Sequence, residues 1–251
     1  MGVSATDFLS LPPTCTRCAI RSESLCSELS PIELSALSGI SRRRVYEPGQ
    51  VIVTEGDNDV FCNVVTGLLV EKKALSDGRE QILSLLLPAD FHGGPNSAVA
   101  DASVHAVTRS TVCQFERAAF DDLLSGFPGL KQAVLEHSLT ALTNAREWML
   151  LLGQKTAEER VATFLLHTAE RQGESGCSHI RTKRLADGVL VQIPITRSQI
   201  AAYLGLTIET VSRRLTALRD ANLIEFDNSR LVRLLDVDQL RIAAGELSPK
   251  Q

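Results

Sequence analysis

The sequence has no long apolar run. No stretch approaches the roughly 18 consecutive apolar residues of a membrane-crossing helix, so no part of the chain is expected to span a bilayer. No secretory leader is expected either. Met1-Gly2-Val3-Ser4-Ala5-Thr6-Asp7 carries neither a basic flank nor an apolar core, and the cytoplasm is the expected compartment. Positive charge is not in excess, because the formal net charge is −4. Any contact with nucleic acid must therefore come from a local basic face. Enzyme signatures are absent as well: there is no Gly-rich phosphate loop, no nucleophile elbow and no paired His/Glu metal motif. The histidines (His92, His105, His137, His167 and His179) show no ligand spacing, so a His-bound haem stands only as a third option. The chain is not expected to be an enzyme.

What is present is enough apolar material for a good core, 44% of 251 residues, in one large domain or two small ones. There are six cysteines: Cys15, Cys18, Cys26, Cys62, Cys113 and Cys177. In a cytoplasmic chain, clustered cysteines point to metal or redox chemistry before disulfides. Residues 1–30 carry three of them, have little periodicity and enter through the stiff pair Pro12-Pro13. A short helix is predicted from Pro31 to about Ser41, with Ser30 as N-cap, Pro31 at its first position and Glu33 at its third. Residues 44–116 read as β structure. Short runs (51–54, 62–66, 68–72, 81–87, 104–108 and 111–115) are punctuated by glycine turns, the pattern of a small barrel or roll.

Helical periodicity begins at residue 117, and Phe127-Pro128-Gly129 divides it into a short helix and a long one. On the long helix Leu135, Ser138, Leu142, Ala145, Met149 and Leu152 recur at steps of three and four, a seam suited to pairing with a second copy. Packing on the chain's own roll is the alternative use of such a stripe. Gly153 is expected to interrupt this helix. Thr156 should cap the next, to about Arg171, followed by a loop over 173–188 and an extended segment over 188–194.

Thr196 to Ala221 read as a helix-turn-helix. Ile200, Ala201 and Leu204 form one apolar face, Gly205 permits the turn, Thr207 caps the second helix, and Val211, Leu215 and Leu218 form its inner face. Glu209, Ser212, Arg213 and Thr216 are left outward. An arginine can bond guanine through two N–H groups, and a glutamate can accept from a cytosine amino group. Arg213, Arg214 and Arg219 against Glu209 and Asp220 leave this helix net positive, and Thr196 and Arg197 stand where phosphates would be met. Residues 223–226 and 231–235, joined by Asp227-Asn228-Ser229, read as a hairpin wing.

These features together resemble the CRP/FNR family of bacterial transcription regulators. The carrying residues are Pro48-Gly49-Gln50, Glu55-Gly56-Asp57, Gly67, Asp77-Gly78-Arg79, Leu87-Pro88-Ala89-Asp90-Phe91, the stretch from Lys155 to Arg160, and the stretch from Leu204 to Arg213. The resemblance implies an α+β chain. It has a cysteine-bearing segment over 1–30, a jelly-roll β-roll sensor domain like those that bind cyclic nucleotides over 31–126, a dimerisation helix over 127–152 and a winged helix-turn-helix DNA-binding domain over 153–251. In the FNR branch an E-x-x-S-R motif reads the site, here Glu209, Ser212 and Arg213. Ile208 occupies the place of a base-reading arginine in the CRP branch, so a TTGAT/ATCAA inverted repeat is implied. Double-stranded DNA, a second copy of the chain and RNA polymerase are the implied partners.

Two ligands compete for the sensor domain. In this family a cyclic nucleotide is held by a Gly-Glu pair and an arginine. Here the pair is Gly93-Gly94, and residues 99–103 contain no arginine, so no cyclic nucleotide is expected. The cysteines offer the alternative, a C-x2-C-x7-C array at Cys15, Cys18 and Cys26. Spacing by itself does not separate zinc from iron–sulfur. Cys113 matches the family position of a fourth ligand, and the resemblance, closest to an FnrL-like subgroup, implies a 4Fe–4S cluster on Cys15, Cys18, Cys26 and Cys113. Oxygen sensing and control of low-oxygen genes follow from that resemblance, with a structural zinc or no metal as the alternative. Cys62 and Cys177 have no partner in the sequence. One departure concerns the seam: where the enteric pattern carries an acidic residue this chain has Ala145, so a dimer that outlasts its cluster is expected.

Overall fold

The computed structural model describes residues 13–93, 99–174, 183–185, 188–228 and 230–246. The chain divides into two compact units, residues 1–73 with 84–143, and residues 74–83 with 144–251.

The first unit opens with a short helix α1 (Pro13–Thr16), a 3-10 turn (Leu25–Glu28) and helix α2 (Pro31–Ile40). Ser30 and Glu33 close a full capping box on α2, as its sequence predicts. The 13–28 segment is more ordered than its weak periodicity implies. Ile20 and Leu25 are fully buried, so two apolar anchors hold what local pattern does not. The roll is built from two sheets. One has the order β1 (Ser41–Tyr46), β8 (Ser110–Phe115), β3 (Phe61–Thr66), β6 (Phe91–His92); the other runs β2 (Val51–Val53), β7 (Ser103–Ala106), β4 (Leu69–Ala74), β5 (Glu80–Leu86). Between the sheets lie Val53, Val64, Leu69, Val104 and Val112. Gly67 is the turn the roll cannot replace: its φ is +90°, and a Cβ there would collide with Ser110 and the Arg109 carbonyl.

Strands β1 and β6 were not legible beforehand. The run Ser41-Arg42-Arg43-Arg44 has no apolar alternation because β1 is a sheet edge with exposed arginines, a common way to keep an edge from pairing further.

Helix α3 (Arg117–Gly126) and helix α4 (Pro128–Gln154) follow, broken at Phe127-Pro128 as expected. The first turns of α4 pack Leu130, Ala133 and Val134 into a core with Leu25, Leu34, Leu37, Phe61, Phe115 and Phe120. Glu33 reaches across to α4, its carboxylate accepting from the Leu130 N–H at 3.1 Å. The same side chain therefore caps two helices. Gly153 does not interrupt α4, which continues to Gln154; a lone glycine near a helix end is tolerated when its neighbours pack, and Leu151 beside it is buried.

The second unit contains α5 (Ala157–Glu174), whose first turn is closed by Thr156 and Glu159. It continues with the strands β9 (Lys183–Leu185) and β10 (Gly188–Gln192), then helices α6 (Arg197–Leu204) and α7 (Ile208–Asp220), strands β11 (Ile224–Phe226) and β12 (Leu231–Leu234), and helix α8 (Val237–Ala243). The sheet order is β11-β12-β10-β9. β9 corrects the expectation of a plain loop there, because pairing with β10 supplies its hydrogen bonds from outside the segment. Cys177 lies outside the described residues. Among the described residues no helix is long and apolar enough to cross a membrane.

Candidate DNA-reading surface and cysteine centre

Helix α6 starts at a capping box formed by Thr196 and Gln199, and ends at Gly205 with φ +62°. That left-handed residue lets the chain turn at once into α7. Thr207 caps α7 by accepting from the Thr210 N–H at 3.2 Å. Ile200, Ala201, Tyr203 and Leu204 on α6 and Val211, Leu215 and Leu218 on α7 are buried. Burying one face of α7 fixes the other outward. Glu209, Arg213 and Thr216 are exposed and Ser212 half-exposed, all on one side.

Arg197 donates to the Ser212 hydroxyl at 3.2 Å, so the start of α6 is tied to the reading face. Arg213 donates to the Thr210 hydroxyl at 3.3 Å. Glu209 is held below the usual carboxylate range by its own backbone N–H, then by Thr207, with Arg213 adding to both, so it is an anionic acceptor at neutral pH. Arg214 differs: it lies about 100° further round the helix and pairs with Glu158 at 3.3 Å. The structure gathers Thr196, Arg197, Thr207, Glu209, Ser212 and Arg213, and turns Arg214 toward α5. Beside them the wing is shaped by Asn228, whose side-chain oxygen accepts from the N–H groups of Arg230 and Leu231.

Sequence reasoning missed two side chains behind this surface. Arg160 donates to the carbonyls of Lys155 at 2.9 Å, Leu204 at 3.0 Å and Leu152 at 2.6 Å, joining the end of α4 to the turn after α6. Trp148 on α4 stacks on Tyr203 of α6 with ring centroids 4.2 Å apart, and donates to the Tyr203 carbonyl at 3.3 Å.

The second site lies in the first unit. Cys15 and Cys18 share a turn in which the Cys18 N–H donates to the Cys15 carbonyl at 3.3 Å. Cys26 sits in the 3-10 turn, and Cys113 on β8. Cys26 and Cys113 both pack against the core formed by Leu25, Phe61 and Phe115. Burial pushes the Cys26 thiol up to about 12, opposed by Ser24 and assisted by the charges of Cys113, Cys15 and Cys18. Burial pushes Cys113 up to about 11, opposed by Ser41, with Cys15 and Cys18 again adding to it. Each of the four thus lies in the electrostatic reach of the others. The Cys15 thiol donates to the Ser38 hydroxyl at 3.4 Å. Among the described residues no three His, Cys, Asp or Glu side chains are grouped to hold a metal ion. Cys62 is fully buried elsewhere in the roll, and burial raises its thiol too.

The donor set is all sulfur, half-buried and rimmed by apolar side chains. Burial keeps Cys26 and Cys113 protonated as free thiols at pH 7, and a cationic centre is what would make their thiolates favourable. The residues present therefore fit an iron–sulfur cluster, and equally a thiolate-bound zinc.

The chain matches the model of the Crp-like helix-turn-helix domain over residues 159–242, and that of the cyclic nucleotide-binding domain over residues 43–126. It is 36% identical to the transcriptional activator protein FnrL of Cereibacter sphaeroides, over 92% of each chain. The chain belongs to the CRP/FNR family of transcription regulators. This regulator is also 39% identical to the nitrogen fixation regulation protein FixK of Bradyrhizobium diazoefficiens, across 81% of this chain and 83% of that one. Its fold is similar to that of FixK2 from Bradyrhizobium japonicum, with a TM-score of 0.73 and 29% identity over 84% of this chain and 100% of that chain. The expected α+β architecture of β-roll and helix-turn-helix is thereby shown, and the family is one of DNA-binding regulators, not of enzymes.

Proposed function

We propose that this regulator senses oxygen through a 4Fe–4S cluster on Cys15, Cys18, Cys26 and Cys113. With the cluster intact it binds TTGAT/ATCAA inverted repeats as a homodimer and, through contact with RNA polymerase, controls genes of low-oxygen metabolism. The observation that carries this reading is that Cys113, from a strand far along the chain, packs against the same core as Cys26, with Asn63 opposite Cys113 in the sheet and donating to the Cys26 sulfur. Similarity to FnrL supports it.

When bound, a cluster supplies an oxygen-labile tie between the N-terminal segment and β8. The chain's own residues carry the consequence. Ile20 and Leu25 hold the segment in the core, and Leu130, Ala133 and Val134 pack the start of α4 close by. Leu135, Ser138, Leu142, Ala145 and Met149 present an accessible stripe to a second copy, and Leu152, half-buried, ends it. Two recognition helices in register with successive major grooves require such a dimer. Trp148 and Arg160 then fasten the end of α4 to the reading helices.

A cyclic nucleotide has no place in this reading. The Gly-Glu pair and the arginine are missing from the sequence. In addition His92, next to Gly93, is engaged by Glu71 at 2.5 Å and Asp59 at 3.1 Å, so it is not free to hold a phosphate.

The test is DNA affinity of anaerobically reconstituted protein before and after exposure to air. Loss of affinity in air, and loss of the visible iron–sulfur absorption in Cys113→Ala, are expected. Equal affinity in both states overturns oxygen sensing. A second reading is a family regulator with a structural zinc or with no metal, the latter favoured by the hydrogen bond from the Cys15 thiol to Ser38, which only a protonated sulfur can donate. That reading requires colourless protein with oxygen-independent DNA binding.

A further inference from the structure

Asn63 is the one core residue of strand β3 whose presence packing does not explain. It is 1% exposed, and its two ends are treated unequally. Its amide Nδ2 donates to the Cys26 sulfur at 3.8 Å, while its Oδ1 is buried with no hydrogen-bond partner. Buried amides normally satisfy both ends, and a leucine at this position would fill similar space with no orphaned oxygen. The strand register sets Asn63 directly opposite Cys113, and Cys113 in turn opposite Arg43. The amide is thus fixed by the sheet beside Cys26 and Cys113.

A neutral thiol is a weak acceptor. A thiolate bound to iron is a charged one, and a hydrogen bond to it is correspondingly stronger. Hydrogen bonds to ligand sulfurs draw charge off the cluster and favour its more reduced state, which raises the reduction potential. Resting on the cluster reading above, we propose that Asn63 is a dedicated hydrogen-bond donor to the Cys26 sulfur, and that it sets the reduction potential of the cluster and its resistance to dioxygen. Dioxygen is the oxidant and takes the electron from the centre, so a raised potential makes that transfer less favourable. The residue acts through Cys26 and is a positioning and tuning residue, with no contact to DNA.

The experiment uses the full-length chain, reconstituted anaerobically, as wild type and as Asn63→Leu. Three quantities are read: the reduction potential by dye-mediated titration, the terminal iron–thiolate stretching bands by resonance Raman, and the rate of bleaching in air. Asn63→Leu should take up the same iron and sulfide as wild type, titrate at a more negative potential, shift the terminal bands and bleach several-fold faster. Asn63→Met, unbranched and without a donor, gives the same direction of change where the leucine variant folds poorly. Asn63→Ser restores a short donor and should move all three readings back toward wild type. Folded Leu and Met variants with wild-type potential and bands overturn the proposal and leave the cluster reading standing. Wild-type protein that binds no iron–sulfur overturns the cluster reading itself, and this inference with it.

Discussion

At the scale of single residues, the second helix of the helix-turn-helix separates into side chains proposed to meet DNA and side chains that hold it in place. Glu209 and Arg213 are outward and hydrogen-bond to Thr207 and Thr210 at the start of α7, exposed bonds that their polar groups can exchange for base edges. Arg213→Ala should weaken binding to a TTGAT/ATCAA duplex by about 1–3 kcal/mol and relax selection at the contacted base pair. Arg214→Ala breaks an exposed pair with Glu158 and should change affinity by less than about 1 kcal/mol, without a change in sequence preference. Fluorescence anisotropy with matched and single-mismatch duplexes distinguishes the two. Arg160 has the opposite character. Replacing it by methionine leaves three carbonyls without their donor, and should lower the stability of the full chain by about 1.5–3 kcal/mol in urea unfolding. Arg160→Lys should restore only part of this, because an ammonium cannot span three carbonyls as a planar guanidinium does.

At the scale of elements, α4 is the part whose sequence and surface disagree most with life as a single chain. Leu135 is 50% and Met149 71% exposed, and Leu139, Leu142 and Leu150 lie open beside them. Such a stripe is wider than the seam read from the sequence, which omitted Leu139 and Leu150. Contiguous exposed apolar surface of this kind marks an interaction face. Leu142→Glu places like charges opposite each other across a two-fold seam, and should convert the dimer to monomer in analytical ultracentrifugation. With Ala145 in place, the unsubstituted protein should sediment as a dimer in air as well as without oxygen. A wild type found only as monomer would falsify the role given to this helix.

At the scale of the molecule, stability and pH are linked through the roll. Burial alone pushes His92 down, but the hydrogen bonds and charges of Asp59 and Glu71 outweigh it and raise the imidazole to about 9. Burial pushes Asp59 up, and the hydrogen bond and charge of His92 outweigh that in turn, holding its carboxyl below the usual range. A histidine raised in the folded state contributes stability that is complete below its ordinary value of about 6.5, and that is lost as pH rises through about 9. Asp59 contributes above its ordinary range, and loses that contribution as pH falls through its folded value. Hydrogen exchange in β3 and β6 should therefore quicken between pH 6.5 and 9 beyond its intrinsic increase, and His92→Phe should remove that excess slope.

The helix-turn-helix was determined by the sequence on its own. Capping at Thr196 and Thr207, the left-handed turn at Gly205 and the apolar period of α7 are all interactions within a few residues, and local chemistry suffices to specify them. The same holds for α2 with its capping box and for most strands of the roll. Only the tertiary structure decided the rest. The sequence shows Arg214 beside Arg213, but not Glu158 waiting on another helix to turn it away. Strand β1 exists because β8 pairs with it, not because its arginines favour a strand. The order of residues 13–28 comes from the core that receives Ile20 and Leu25. Spacing put Cys15, Cys18 and Cys26 together. It took the register of β1, β8 and β3 to set Arg43, Cys113 and Asn63 in one row beside them, since contacts between strands depend on pairing across the chain and leave no periodicity within it.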